Sequence, residues 1–208
     1  MVNQEYIFFY IILSYLTGAF PSAVLIGKIF FKTDVREFGS GNSGATNTFR
    51  VLGKKAGIPV LILDVFKGWL AVNYVFFISS FSQNPDLVFE HQLVFGITAV
   101  IGHLFPIYTG FRGGKGIATL LGLLLGIQLH AALLSFIVFF FVFLFSRYVS
   151  LASIISSITF PLIIYFLSDS TDVSLIIFSI FVPLLALLTH QRNIERLLRG
   201  EEVKVKFK

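Results

Sequence analysis

Two segments of this chain combine glycine, small polar residues and fixed cations: GSGNSGATNTFR from Gly39 to Arg50 and GHLFPIYTGFRGGKGIAT from Gly102 to Thr119. That mixture suits phosphate, because bare backbone N–H groups and cationic side chains can surround an anion together. In the first segment Gly39, Gly41 and Gly44 permit unusual backbone angles, Ser40, Asn42, Ser43, Thr46 and Asn47 offer neutral donors, and Arg36 and Arg50 supply charge. In the second, Gly113-Gly114-Lys115-Gly116 lacks the Walker spacing and no strand precedes it, so nucleotide binding is disfavoured. A helix beginning close to Gly116 would still aim its first amides at an anion, with Lys115 alongside. His103 reads equally as a hydrogen-bonded interfacial histidine or as a site residue.

A third constellation, His190-Gln191-Arg192-Asn193-Ile194-Glu195-Arg196, closes the last apolar run. His190 and Asn193 share one helical face. The His190 to Glu195 spacing of an H-x4-acid box is a decoy, since side chains five apart on a helix diverge. Asp64 and Lys67, three apart inside another run, read as a mutually neutralising structural pair. Gly18-Ala19-Phe20-Pro21-Ser22 interrupts the first run, and its proline must bend the helix, either for packing or to line a site.

These residues are embedded in membrane-grade sequence. Hydrophobic residues make up 56% of the 208 positions, charged residues only 13%, and mean hydropathy is +0.87. Soluble domains carry about 25% charged residues, so the composition excludes an aqueous fold. The chain has no cysteine, which rules out disulfides, thiolate catalysis and Cys-ligated metal. The N-terminal run lacks the basic start of a signal peptide and reads as a first span.

All sixteen Lys and Arg fall in four regions: Lys28 to Lys67, Arg112 with Lys115, Arg147, and Arg192 to Lys208. The polar gaps between them hold Glu5, Asp86, Glu90, Asp169 and Asp172. Positive loops stay inside, which predicts an external N-terminus, a cytoplasmic C-terminus and an odd number of crossings. Runs near 6–31, 57–81, 92–110, 151–168 and 173–190 supply five. Splitting 117–145 into two short helices near His130 brings the total to seven. The expected fold is an all-α integral membrane protein of seven transmembrane helices forming a single domain, 1–208. For Lys204 to Lys208 the expectation is anchoring to anionic lipid heads.

GSGNSGATNTFRVLGKKAG, DVFKG, GHLFPIYTGFRGGKGIAT, RYVSLAS and HQRNIERLLRGEE together resemble the acyl-phosphate:glycerol-3-phosphate acyltransferases of bacterial membranes, the PlsY family. The resemblance runs from Gly39 to Glu202, with Arg112 standing where family members often carry Lys. It implies acyl transfer from acyl phosphate to the 1-hydroxyl of sn-glycerol 3-phosphate, yielding lysophosphatidic acid and inorganic phosphate at the cytoplasmic face of a bacterial cell membrane. The residues fit that reaction, since both substrates carry phosphate and phenylalanine-rich helices can hold an acyl tail.

On that reading Arg50 and Lys115 bind phosphate, with Ser40, Asn42, Arg112, His103 and the Gly113–Gly114 amides completing the cradle. His190 and Asn193 position glycerol phosphate, Asn193 also donates to the oxyanion, and Ser150 is an extra phosphate donor. The proton acceptor is His190, His103 or a substrate phosphate oxygen, and transfer is direct rather than through an acyl-serine on Ser40 or Ser43. Clustered carboxylates are absent, so neither metal nor cofactor is expected. Expected partners are the two substrates and membrane lipid, with no nucleic acid and a monomeric state. A transporter or a non-catalytic binder of an organophosphate is the competing class, although no internal repeat speaks for a transporter.

Overall fold

In the computed structural model residues 4–78, 85–167 and 173–205 are described, and among them all regular structure is helical. Helix α1 (Gln4–Ala19) is followed by α2 (Ser22–Phe31), α3 (Ala45–Leu52), α4 (Lys54–Asn73) and α5 (Pro85–Leu104). Then come α6 (Ile117–Ile127), α7 (Leu129–Ser146), α8 (Val149–Leu167), α9 (Val173–Thr189) and α10 (Gln191–Leu198). Asp169, Asp172, Lys206 and Lys208, which entered the charge argument, lie outside the described residues, as does the side chain of Asp86.

Among the described residues four segments are long and apolar enough to cross a bilayer: Lys54–Phe77, Leu87–Thr109, Leu129–Ser146 and Val149–Leu167. Two bent pairs, α1 with α2 at 42° and α9 with α10 at 65°, raise the number to six if each crosses as one span. The first bend falls at Phe20–Pro21, where the proline has no N–H to continue the ladder. The run 117–145 is broken as expected, but at Gln128 rather than His130. The halves are therefore unequal. Helix α7 has 18 residues, about 27 Å, whereas the 11 residues of α6 reach only about 16 Å. Gln128 takes a non-helical conformation, and its carbonyl accepts from Ala132 N at 2.9 Å to start α7.

The chain forms two compact units, Met1–Ile127 and Gln128–Lys208. In the first, α1 packs on α5, α4 packs on α5 and α6, and α2 and α3 pack on α4. Lipid tails are as apolar as leucine, so helices associate there through close van der Waals fit between small residues. The α4–α6 crossing uses such a fit from both sides. A β-carbon on Gly68 would overlap the Thr119 carbonyl, and one on Gly122 would overlap that of Val65. Buried Tyr74, Val75, Phe95 and Ala99 fill the space between α4, α5 and the 3-10 turn Tyr74–Phe77.

In the second unit α7 packs on α8, α8 packs on α9, and α10 contacts α8. Phe160 meets Phe178 edge to face at 6.4 Å between ring centroids. Ser153 and Ser157 of α8 satisfy their hydroxyls on the helix's own carbonyls, at 2.9 and 2.7 Å.

Candidate active site

The two glycine-rich segments both lie in the first unit, and hydrogen bonds stitch them together. Arg36 Nη1 donates to the Thr109 carbonyl at 3.2 Å, and Ser43 Oγ donates to the Arg112 carbonyl at 3.3 Å. The first segment is organised by Asn47, buried at the start of α3. Its Nδ2 donates to the Val35 and Phe38 carbonyls at 2.8 and 3.1 Å, while its Oδ1 accepts from Ser40 N at 2.8 Å. Asn47 was expected among the ligand donors, but all these bonds hold the loop itself.

Arg36 is likewise committed. Its guanidinium grips Asp34 through both carboxylate oxygens, at 3.0 and 2.7 Å, and Lys28 Nζ approaches the same group at 3.2 Å. These cations hold the Asp34 carboxyl well below the usual carboxylate range, with the Arg36 side-chain hydrogen bond the largest cause. A depressed folded-state pKa stabilises the fold above the unfolded value of about 4 and ceases to do so as the group protonates in acid. Asp34→Asn should therefore lower the melting temperature at pH 7, and the gap to wild type should shrink as the pH is taken down from 4. A gap independent of pH would contradict this linkage.

Ser40 and Arg50 are exposed, and Asn42 spends its Oδ1 on an Asx turn to Gly44 N at 2.9 Å. The chemistry left to Asn42 is its Nδ2 donor pair. Arg112 is exposed and Lys115 half-buried, on a loop that turns at Gly110 and Phe111 with φ of 64° and 60°. Helix α6 begins at Ile117, directly after Gly116. The Gly113–Gly114 pair departs from expectation. Gly114 N donates to the His103 carbonyl at 3.1 Å, so that amide closes the loop onto α5 instead of serving the cradle. A β-carbon on Gly113 would overlap the His103 and Leu104 carbonyls, and one on Gly114 would overlap His103 Nε2. Glycine is required here for contact with α5.

Beneath this loop lies a small cleft lined by Phe20, Ser22, Ser43, Asp64, Lys67, His103 and Gly114, among others. Asp64, 1% exposed, accepts from Ser22 Oγ at 2.6 Å and pairs with Lys67 Nζ at 2.9 Å. Lys67 also donates to the Phe20 carbonyl, at 3.2 Å, where Pro21 interrupts the helix. His103 Nδ1 stands 3.7 Å from Asp64 Oδ1. The ion pair read from the sequence is therefore part of a larger buried group that includes His103.

The second unit holds the remaining candidates. Ser150 sits in the first turn of α8, as expected, but its hydroxyl donates to Glu202 Oε1 at 2.9 Å. Asn193 Nδ2 donates to the same oxygen at 2.7 Å, and Arg196 Nε lies 3.1 Å from Glu202 Oε2. Lys204 rests over the Tyr148 ring at 5.3 Å, and Val205 N donates to the Arg147 carbonyl at 2.9 Å. The chain after α10 thus folds back on the α7–α8 turn, where lipid anchoring alone was expected for Lys204. Buried His190 ends α9 with Nδ1 2.8 Å from the Ala186 carbonyl. A carbonyl only accepts, so Nδ1 carries the proton.

Sequence reasoning missed Glu202 as a site residue and took Asp64 as purely structural. The signal for Glu202 was faint: an acid two residues after Gly200, whose φ of 71° turns the chain back. Helical membrane spans carrying stitched, cation-bearing glycine loops define an integral membrane protein with a face suited to phosphorylated small molecules.

The comparisons specify the chemistry. Residues 8–200 match the family model described as glycerol-3-phosphate acyltransferase. A glycerol-3-phosphate acyltransferase of Staphylococcus saprophyticus is 45% identical over 198 residues, covering 95% of this chain and 96% of that protein. That of Staphylococcus aureus strain Newman is 43% identical with the same coverage. The crystal structure of PlsY, an integral membrane glycerol 3-phosphate acyltransferase, in its glycerol 3-phosphate form superposes with a TM-score of 0.84. It is 36% identical and covers 96% of both chains. The lysophosphatidic acid form gives 0.81. This chain belongs to the glycerol-3-phosphate acyltransferase family. It is an acyltransferase, and neither relative speaks for a transporter or a passive binder.

Proposed function

We propose that the protein transfers an acyl group from acyl phosphate to the 1-hydroxyl of sn-glycerol 3-phosphate, releasing 1-acyl-sn-glycerol 3-phosphate and inorganic phosphate. The observation that carries this reading is the stitching of the two cationic glycine loops through Arg36–Thr109 and Ser43–Arg112. It gives one unit a surface for phosphate groups, and the solved relative with glycerol 3-phosphate supports that choice of anion. The whole chain, 1–208, acts as one domain and as a monomer in the bacterial cell membrane. It crosses seven times, with α6 and each bent pair counted as spans, the N-terminus outside and the reaction on the cytoplasmic side.

Acyl phosphate is a mixed anhydride, so its leaving group needs little activation. The protein's work is to orient two anions against their repulsion, stabilise the oxyanion and accommodate one proton. Arg50, Arg112 and Lys115 neutralise phosphate, with Ser40 and Asn42 as neutral donors and His103 shaping the loop. Asn193 and Ser150, both aimed by Glu202, act on glycerol phosphate and the developing oxyanion. The hydroxyl oxygen forms the new ester bond to the acyl carbon as the anhydride C–O bond breaks. The proton passes to a phosphate oxygen or to His190.

The test is purified protein in detergent with palmitoyl phosphate and glycerol 3-phosphate, no metal added, and both products quantified. Wild type should release phosphate and lysophosphatidate in equal amounts. Lys115→Ala and Asn193→Ala should each lower kcat/KM by at least about a hundredfold. Phosphate without acylated product would mean a hydrolase instead.

A further inference from the structure

Four polar side chains, Ser22, Asp64, Lys67 and His103, are buried together on helices that line membrane spans. Removing such groups from water is costly, and a buried ion pair is often no more stabilising than apolar residues of the same size. Mutual neutralisation explains Asp64 and Lys67 but gives no reason for His103 to stand beside them. Within this group, buried Asp64 Oδ2 and His103 Nδ1 make no hydrogen bond to the described residues. The other side of the same histidine meets the second glycine loop twice. Its carbonyl takes the Gly114 N–H, and its Nε2 lies against Gly114 where no β-carbon fits.

We propose that Asp64 is a positioning residue for acyl transfer, seating the Gly113–Lys115 loop through His103. Asp64 Oδ1 accepts from Ser22 Oγ, pairs with Lys67 Nζ and stands 3.7 Å from His103 Nδ1. That charge favours a proton on Nδ1 and fixes the ring's rotation, which leaves Nε2 towards the loop. The ring and the backbone carbonyl of one residue then set the height of the Gly113–Gly114 backbone, and with it the reach of Lys115 towards a substrate phosphate. Without Asp64 the ring loses its reference charge, and its contact with Gly114 is no longer fixed in height. The inference rests on the reading of this loop as a phosphate seat.

The test uses full-length protein in detergent and five variants: Asp64→Asn, Lys67→Met, the two combined, His103→Gln, and all three together. The readouts are melting temperature, kcat and KM, and backbone amide exchange of residues 110–118 without substrate. Asp64→Asn should melt early, because it leaves Lys67 buried without its counter-charge. The combined variant should recover the melting temperature. Its kcat/KM should stay down by on the order of a hundredfold, mostly through KM, as expected for a misplaced binding loop. Loop exchange should remain fast in it, and adding His103→Gln should cost nothing more, since both act through one contact.

Recovery of melting temperature, kcat/KM and loop protection together in the combined variant would overturn the proposal and leave Asp64 as a counter-ion only. Should Asp64→Asn not fold, His103→Gln decides, because it leaves the ion pair intact: wild-type kcat/KM and loop protection there would also overturn it. Absence of turnover by wild type would refute the proposed reaction, while the exchange comparison would still decide whether Asp64 seats the loop.

Discussion

Glu202→Ala is expected to give a protein that is both less stable and nearly inactive, although Glu202 lies beyond the last helix. Its side chain, 6% exposed, is the common acceptor for Ser150 and Asn193 and the counter-ion of Arg196. Truncation leaves two buried donors without this partner, each costing about 1–3 kcal/mol, so a loss of about 3 kcal/mol follows. The Arg196 pair adds little, because that side chain is 37% exposed and solvent screens its charge. The activity loss comes from aim: Ser150 and Asn193 lose the acceptor that orients them, and a displacement of about 1 Å in a reacting constellation can cost a hundredfold. Glu202→Gln should fall between, since its carbonyl can still accept from both donors while its amide faces Arg196. Thermal unfolding and product formation, measured on the same preparations, check this. Wild-type values for both in Glu202→Ala would show that the clasp does not organise the site.

Gly122→Ala, a single added methyl, should be strongly destabilising in the first unit. The new carbon would overlap the Val65 carbonyl oxygen, and backbone cannot rotate away as a side chain can. Helices α4 and α6 would have to separate, undoing the Gly68–Thr119 contact at the same crossing. The expected cost is about 3 kcal/mol or more, at the upper end of overpacking effects. Gly96→Ala is the control, because its methyl would meet the Leu123 and Val72 side chains, not backbone, and side chains can repack at about 1–2 kcal/mol. Denaturation in detergent should separate the two variants clearly. Equal stabilities would mean that the crossing tolerates separation and that backbone contact does not hold α4 on α6.

The helical class and membrane setting were legible in the sequence because they depend on apolar run length and charge, which are additive along a chain. Pro21 marked its bend for the same local reason: a missing N–H acts wherever the residue sits. The break in 117–145 was legible as a break but displaced by two residues, since the choice between Gln128 and His130 depends on which carbonyl starts α7. Donor-rich loops were recognisable as a type, yet their division of labour was not. Asn47 and Asn42 are the same residue type five positions apart, and burial alone assigns one to the loop's own carbonyls and leaves the other with its Nδ2 pair. Lys115 and Arg36 are both cations beside glycines, but Arg36 has Asp34 two residues away and closes on it.

By itself, then, the sequence determined that this is a helical membrane protein with two anion-suited loops and a polar end to its last span, because residue type and spacing are sufficient for each. Only the tertiary structure decided which polar groups are spent on one another. Glu202 reaches Ser150 across 52 residues, and His103 comes under Gly114 while facing Asp64 from another helix. The His103 pairings follow from helix crossings set by backbone contact at a few glycines, a three-dimensional fit that has no period in the sequence.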